Sequence, residues 1–394
     1  MKILYCSSLV ADDLFGDLFK RGLTLDYTGQ KYHGLFVRGL ADNVGAGNVF
    51  ALSQPPTSKF FFQIKGEQNG FGFRYVPIIP LPVVKQLIFF LYSFCYTFYW
   101  CIKNFRQEKV IISSFMRVYQ YPSVKLAALF FKHKSITVVC DIPWMTTTQV
   151  ATKPLTLKQK AAIWMGKKLG DSFDGYVFLT ETMNDVLNTK RRPYVVVEGF
   201  CDQLMSNVPN MLEKKNKKRV ILYAGGLSEK YGILSLVEAV KQLDDENVEL
   251  WLYGSGDMND KLSSEPNGRI HFWGPKSNKE VVEAELQATV LINPRPTTDE
   301  YTHYSFPSKT LEYMVSGTYT MTTKLAGIPD EYFYYCGIIE PFDTDGLLKS
   351  LKNALSLSDQ ELHDKGMKAK RFVLENKNNI TQTKRVIDFA HAIK

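Results

Sequence analysis

Lys309 and Glu312 stand three positions apart in the run EYTHYSFPSKTLEYMVSG, residues 300–317. Pro307 fits the first turn of a helix, where its missing N–H leaves nothing unsatisfied. Ser305 and Ser308 are residue types that cap helices. A helix opening here aims the backbone N–H groups of Ser308 and Lys309 at an anion such as a phosphate, and Lys309 adds a fixed charge. One turn on, a carboxylate at Glu312 is suited to accept both hydroxyls of a ribose; the plainer alternative is a surface glutamate on an amphipathic helix. Two further stretches offer anion chemistry. GGLSEKYG, residues 225–232, follows an apolar run and leads into a helical one. Its glycines permit close backbone approach and Lys230 supplies charge, unless this is only a tight turn with a solvated lysine. In NPRP, residues 293–296, Arg295 is held between prolines as suits a pyrophosphate clamp; an exposed loop arginine is the alternative. Gly254 belongs to a lone GSG that equally fits a strand-end turn.

Positioning such groups requires strand ends and helix starts. Apolar runs at 3–6, 110–113, 136–140, 175–179 and 195–197 read as buried parallel strands, with helical stretches at 123–132 and 158–169 between them. The pattern restarts after PNMLEKKNKK. Strands are expected at 220–224, 248–253, 269–273, 289–293, 319–322 and 337–339, and helices at 233–243, 279–287, 310–315 and 359–375, with one more in 379–394. Alternating strand and helix predicts α/β with parallel sheets. Two doubly wound domains follow, divided near 200–217, with ligands at the carboxyl ends of strands.

A length of 394 residues exceeds one ordinary core, and 45% hydrophobic with 22% charged residues excludes a disordered chain. The net charge of +8 fits either a simply basic surface or attraction to phosphates and anionic lipid head groups. Nucleic acid is disfavoured, because the basic run at 214–219 has no interleaved aromatics. Six scattered cysteines show no zinc spacing and read as reduced cytosolic thiols. MKILYCSSLVADD reads as a first strand, since Asp12 and Asp13 follow where a signal peptide needs small neutral residues. The aromatic segment 87–102 is shorter than the about twenty residues a bilayer span needs. It leaves open a buried helix, a helix in the membrane interface, and a span. Asp343 and Asp345 form a DxD at a helix start, where an N-cap is the better reading. His33 and His133 read as structural.

The order GGLxxKxG, LxGxG, FWG, NPR and FPSKTLEYMxSG resembles family 4 of the retaining glycosyltransferases, which have the GT-B fold, and in particular bacterial members that build capsular or exopolysaccharide units. The likeness is dense over 220–330 and looser over the N-terminal half, in MKILYCSSL, TGQKYHGLFVRGLADN and VVCDIPWMTT. It implies two Rossmann-like domains facing a central cleft: 1–205 for the acceptor, 206–375 for the nucleotide sugar, and 376–394 as a helix crossing back to the first. By position it implies that Glu312 binds the ribose, that the amides of Ser308 and Lys309 contact the diphosphate, and that Lys230 binds phosphate. The Trp273-Gly274 turn would read the base, and Gly29 and Gln30 would match a glycine-rich loop near the diphosphate. The donor-binding set is then Gly226, Lys230, Gly254, Trp273, Gly274, Tyr304, Ser305, Phe306, Pro307, Ser308, Lys309 and Glu312.

Three departures stand out. Tyr304 occupies the position of the family's first glutamate, with Glu300 four residues earlier. Gly226 replaces its arginine, a charge that Arg295 is the candidate to supply from another loop. Asp141 replaces its N-terminal histidine. The resemblance implies retaining transfer from a nucleotide sugar, UDP-linked in preference, to a saccharide or lipid-linked saccharide. Catalysis would fall to Lys230, Arg295 and Asp141, with no cofactor and no metal, on a cytoplasmic protein peripheral to the inner face of the plasma membrane. An epimerase or hydrolase of the same fold, a silent nucleotide-sugar-binding subunit, and a membrane-associated interaction protein remain alternatives.

Overall fold

The computed structural model describes residues 1–23, 26–115, 120–131, 133–142, 144, 156–264, 268–298 and 300–393. Parts of VVCDIPWMTT and position 132 of the expected helix at 123–132 lie outside the described residues. The chain forms two compact units, Met1–Phe200 with Asn379–Lys394, and Cys201–Asn378. The divisions therefore fall at 200 and 378, not at 205 and 375. The physical reason is local: the Cys201 amide donates to the Lys377 carbonyl at 3.0 Å, and Cys201 bridges to Asn378, which ties both ends into the second unit.

The N-terminal unit contains strands β1 (Lys2–Ser7), β2 (Val49–Ser53), β3 (Lys65–Gln68), β4 (Phe71–Tyr75), β5 (Lys109–Ser114), β6 (Ser135–Val139), β7 (Gly175–Phe178) and β8 (Tyr194–Val196). Its helices are α1 (Asp12–Lys20), α2 (Tyr27–Val44), α3 (Val84–Lys103), α4 (Gln120–Phe130), α5 (Leu157–Gly170) and α6 (Thr182–Leu187). The sheet order is β3-β4-β2-β1-β5-β6-β7-β8, parallel except for the antiparallel β3–β4 pair. The connections β4–β5, β5–β6 and β6–β7 all step the same way across the sheet. Right-handed crossovers therefore put α3, α4 and α5 on one face, and the reverse step from β1 to β2 puts α2 on the other.

Gly29 and Gln30 correct the sequence expectation. They form the first turn of α2, not a loop, because the Asp26 carboxylate caps the helix by accepting the Gly29 amide at 3.1 Å. The Gln30 side chain is buried and braces the chain leaving β1: its Oε1 accepts the Val10 amide, and its Nε2 donates to the Ser8 carbonyl, both at 2.9 Å.

The C-terminal unit contains β9 (Arg219–Gly226), α7 (Ile233–Lys241), β10 (Val248–Ser255), α8 (Asn259–Ser263), β11 (Ile270–Gly274), α9 (Asn278–Gln287), β12 (Val290–Asn293), α10 (Ser308–Ser316), β13 (Tyr319–Thr323), β14 (Gly337–Ile339), α11 (Thr344–Leu355) and α12 (Asp359–Asn376). A final described helix, α13 (Asn379–Ala392), belongs to the N-terminal unit and packs along α2. There the Asn43 amide group donates to the Ile380 carbonyl at 2.9 Å, and any side chain at Gly39 would collide with the Asn379 carbonyl.

The second sheet is all parallel, in the order β11-β10-β9-β12-β13-β14. Alternate residues of its strands feed two cores. Ile221, Tyr223, Leu250, Leu252 and Ile292 pack toward α7 and α11, while Val220, Leu222, Trp251 and Leu291 pack with Ala284 of α9 and Tyr313 of α10. Burial on both faces is what makes these strands read as unbroken apolar runs. Counting from β9, the order is 3-2-1-4-5-6, the doubly wound arrangement that leaves a crevice where the order reverses, between the carboxyl ends of β9 and β12.

At the opposite end of this sheet Lys215 donates to the Ala288 carbonyl and the Thr318 hydroxyl, each at 2.8 Å. Burial against these neutral acceptors pulls its ammonium down to about 7. The unfolded chain then holds more protons than the folded one between the folded and the unfolded pKa. Stability from this group therefore rises with pH from about 7 to about 10. Lys215→Met is expected to flatten that part of the melting temperature against pH, as thermal scans of both proteins would reveal; parallel curves would refute it.

Candidate functional site

Three loops meet at the β9–β12 crevice. The first leaves β9 through Gly225 and Gly226, forms a short 3-10 turn (Glu229–Tyr231), and reaches α7 through Gly232 at φ +78°. A side chain at Gly232 would collide with the Pro294 carbonyl, so glycine is what lets the β12 loop lie against this turn. The second leaves β12 through Asn293, Pro294 and Arg295. The Thr323 hydroxyl anchors it by donating to the Arg295 carbonyl at 2.6 Å. The third enters α10.

α10 begins at Ser308 with Pro307 in the N-cap position, at φ −75° and ψ 102°, and no side chain caps it. The serine caps expected from the sequence are thus corrected: Pro307 holds the extended backbone that a cap residue needs, and Ser308 already lies inside the helix. The first amides of such a helix point out of its amino-terminal end; that of Thr310 already donates to the Pro307 carbonyl at 2.9 Å. Tyr313, one turn further on and buried, fixes α10 to β9: its hydroxyl accepts the Ala224 amide at 2.8 Å.

This docking carries Lys309 across the crevice. A Cβ built on Gly225 would collide with Lys309 Cε and lie 2.6 Å from Nζ. The absence of a side chain at Gly225 leaves the space that the Lys309 ammonium occupies over the end of β9. The Lys309 Nζ is also 5.9 Å from the Tyr223 ring centroid. Arg295 and Lys230 share a different ring, Tyr231. The guanidinium carbon lies 5.1 Å from its centroid and the Lys230 Nζ 5.0 Å, and Arg295 is 5.8 Å from Tyr301. Burial pushes the Tyr223 phenol up, and the nearby Arg295 charge opposes that rise. Among the described residues, buried Asn293 Nδ2 and Arg295 Nε have no hydrogen-bond partner in the protein. Three cations from three loops thus converge around aromatic rings at the carboxyl ends of two strands, an arrangement that stabilises a polyanion.

The remaining expected residues divide. Glu312 is half-buried, one turn into α10 and beside Tyr313. Gly254, at φ +121°, lies directly beneath the Gly225 carbonyl. Trp273 is 46% exposed at the end of edge strand β11, stacked on Tyr253 at 6.2 Å, and is followed by Gly274 at φ +69°. Phe306 does not face outward as a ligand contact would. It is buried with its ring 5.2 Å from that of Tyr332, because the turn before α10 needs an apolar anchor. Tyr304 closes a short turn, Glu300–Tyr304, that is half-buried at Tyr304 and exposed at Glu300. Asp343 caps α11 by accepting the Gly346 amide at 2.7 Å. Among the described residues no group of three or more His, Cys, Asp or Glu side chains is arranged to hold a metal.

Asp141 and the Gly29–Gln30 pair belong to the other unit, where Asp141 follows β6 and is exposed. Sequence reasoning passed over Tyr223, Tyr231 and Tyr313. Their signal was positional: Tyr231 lies between Lys230 and Gly232, and Tyr313 falls on the buried face of α10 with Leu311 and Met314.

Two doubly wound α/β sheets in one chain, the second with a cationic, glycine-lined crevice, are the architecture of the GT-B fold. The solved structures agree. Sucrose-phosphate synthase from Thermosynechococcus elongatus superposes with a TM-score of 0.69 at 14% identity, over 99% of this chain and 98% of that one. HepE from Anabaena, solved in complex with UDP, gives 0.66 at 11% over 100% of both. The lipopolysaccharide outer core galactosyltransferase WaaB gives 0.63 at 13%, over 100% and 99%. Residues 218–356, from β9 to the end of α11, match the family model described as Glycosyl transferases group 1. The search of curated proteins found no match. That matched segment lies wholly within the C-terminal unit.

Proposed function

We propose that the protein transfers a sugar, with retention, from a nucleotide-sugar donor to a saccharide acceptor. The observation that carries this reading is the convergence of Lys309, Arg295 and Lys230 at the β9–β12 crevice, one helical turn from Glu312. It falls inside the matched segment. Glu312 accepts the ribose hydroxyls, while the opening amides of α10, with Lys309, hold the diphosphate. UDP is the favoured carrier, supported by the neighbour HepE, which was solved with UDP and with UDP-glucose.

In this reading the bond between the sugar's anomeric carbon and the diphosphate oxygen breaks. The acceptor oxygen bonds to the same face, and its proton passes to the departing phosphate. The chain's contribution is electrostatic: Lys230, Arg295 and the helix amides neutralise charge as it develops. Asp141 orients the acceptor, and no metal takes part. The acceptor is a lipid-linked saccharide in surface polysaccharide or glycoconjugate synthesis, met at the inner face of the plasma membrane.

A thermal-shift panel of UDP, GDP, ADP and their sugars tests the donor assignment. Mass spectrometry of glycolipid acceptors incubated with the selected donor then tests transfer. Glu312→Ala is expected to weaken nucleotide binding about 10- to 100-fold, the scale of charge-assisted hydrogen bonds. Unchanged affinity would remove Glu312 from the site.

A further inference from the structure

Helix α3 is apolar on both faces. The face turned to the protein buries Phe89, Trp100 and Cys101 in the core, together with Ser93 and Thr97, whose hydroxyls have no hydrogen-bond partner among the described residues. The face turned outward holds Leu87, Leu91, Tyr99 and Ile102, each more than half exposed. These positions recur at helical spacing, so they form one stripe along the helix. α4 packs beside α3 and widens the stripe: Phe130, 66% exposed, lies with its ring 6.1 Å from Phe94 and 5.9 Å from Phe98.

A second apolar element stands at the amino-terminal end of α3. Phe61 and Ile78 exchange backbone hydrogen bonds at 3.0 and 2.8 Å, with Phe61 buried. Alternation along an extended chain then turns its neighbours outward. Phe60 and Phe62 are 63% and 60% exposed and stack on each other, and Ile64 is 46% exposed. The bridge holds this finger beside the stretch that leads into α3, where Leu81 and Val83 are also exposed. Lys59 and Lys65 flank the finger. Across residues 43–107 the only acidic residue is Glu67, against Lys59, Lys65, Arg74, Lys85, Lys103 and Arg106.

We infer that the 60–64 finger and the outer face of α3 and α4 form a docking surface for an anionic lipid bilayer. Apolar side chains enter the acyl boundary, and the lysines meet the head groups. No described helix is long and apolar enough to cross a membrane, so the contact is interfacial. The near-absence of acidic residues selects lipid over a protein partner, whose surface would carry both signs. This inference rests on the membrane part of the reading above and is independent of its donor chemistry.

Flotation of the full chain tests it, at low salt, with phosphatidylcholine vesicles and with vesicles that also contain phosphatidylglycerol. Recruitment to the mixed vesicles is expected. Phe60→Ser with Phe62→Ser should reduce it about tenfold, and Lys59→Gln or Lys65→Gln about fivefold each. Circular dichroism and UDP thermal shifts should stay unchanged in all of these variants. Leu91→Ser places a second lesion on α3, should the finger variants fold poorly. Absence of flotation overturns the inference, as does equal recruitment to neutral vesicles. A dimer in sedimentation that Leu91→Glu dissociates overturns it in favour of self-association. Flotation without nucleotide binding would leave this inference standing and remove the donor reading.

Discussion

Arg295→Ala is expected to lower the turnover of sugar transfer about 100- to 1,000-fold, the scale on which removal of one preorganised charge acts. The structure concentrates reasons at this residue. Its backbone is set by the prolines on either side and by the Thr323 hydroxyl bonded to its carbonyl. Its guanidinium lies against the rings of Tyr231 and Tyr301, at the end of a strand bordering the crevice. An arginine positioned this firmly needs little reorganisation as charge builds on a leaving diphosphate. The loss should therefore fall on kcat more than on KM, because the charge it answers is greatest in the transition state. Arg295→Lys should recover little, since an ammonium reproduces neither the fork geometry nor the stacking. A variant with normal kcat and only a raised KM would show that Arg295 binds the donor without assisting departure.

Gly254→Ala is expected to destabilise the C-terminal unit by roughly 3 kcal/mol, and to lower its melting temperature by about 6–12 °C. At φ +121° the backbone occupies a region that side chains rarely enter, and an added Cβ would collide with the Gly225 carbonyl. Neither atom can swing aside, because Gly254 and Gly225 pair across β10 and β9. Any relief would move Gly225, on which Lys309 is seated, so nucleotide binding should fall with stability. Gly268→Ala is the internal control: it lies in the same unit, and its Cβ would meet nothing within 4 Å. If the two variants melt together, the close approach of β9 and β10 is not what requires glycine.

The parts of this architecture that one sequence reveals are those encoded within a few residues. Strands such as Arg219–Gly226 and Val290–Asn293 are buried on both faces, so their apolar runs are unbroken. The helix after Pro307 announced itself through proline chemistry. What stayed hidden depends on distant partners. The order 3-2-1-4-5-6 arises from strand pairings tens of residues apart, with no local signature. α2 was masked by its glycines, and only the Asp26 cap reveals that Gly29 lies inside a helix. Lys309 and Glu312 were legible as candidates. The seating of Lys309 over Gly225 was not, because Tyr313 produces it by tying α10 to a strand end nearly ninety positions earlier.

The placement of α13 in the N-terminal unit sets an order of events during synthesis. Val386, Ile387 and Ala390 of this helix complete the core that Phe36 and Leu40 of α2 help to form. On the ribosome those residues emerge only after the whole of Cys201–Asn378 has been made, a delay of roughly 10–40 s at ordinary translation rates. The unit made first is thus finished last. Until then α2 presents an uncovered groove around Gly39 and Asn43, while the C-terminal unit, contiguous in sequence, is free to fold to completion.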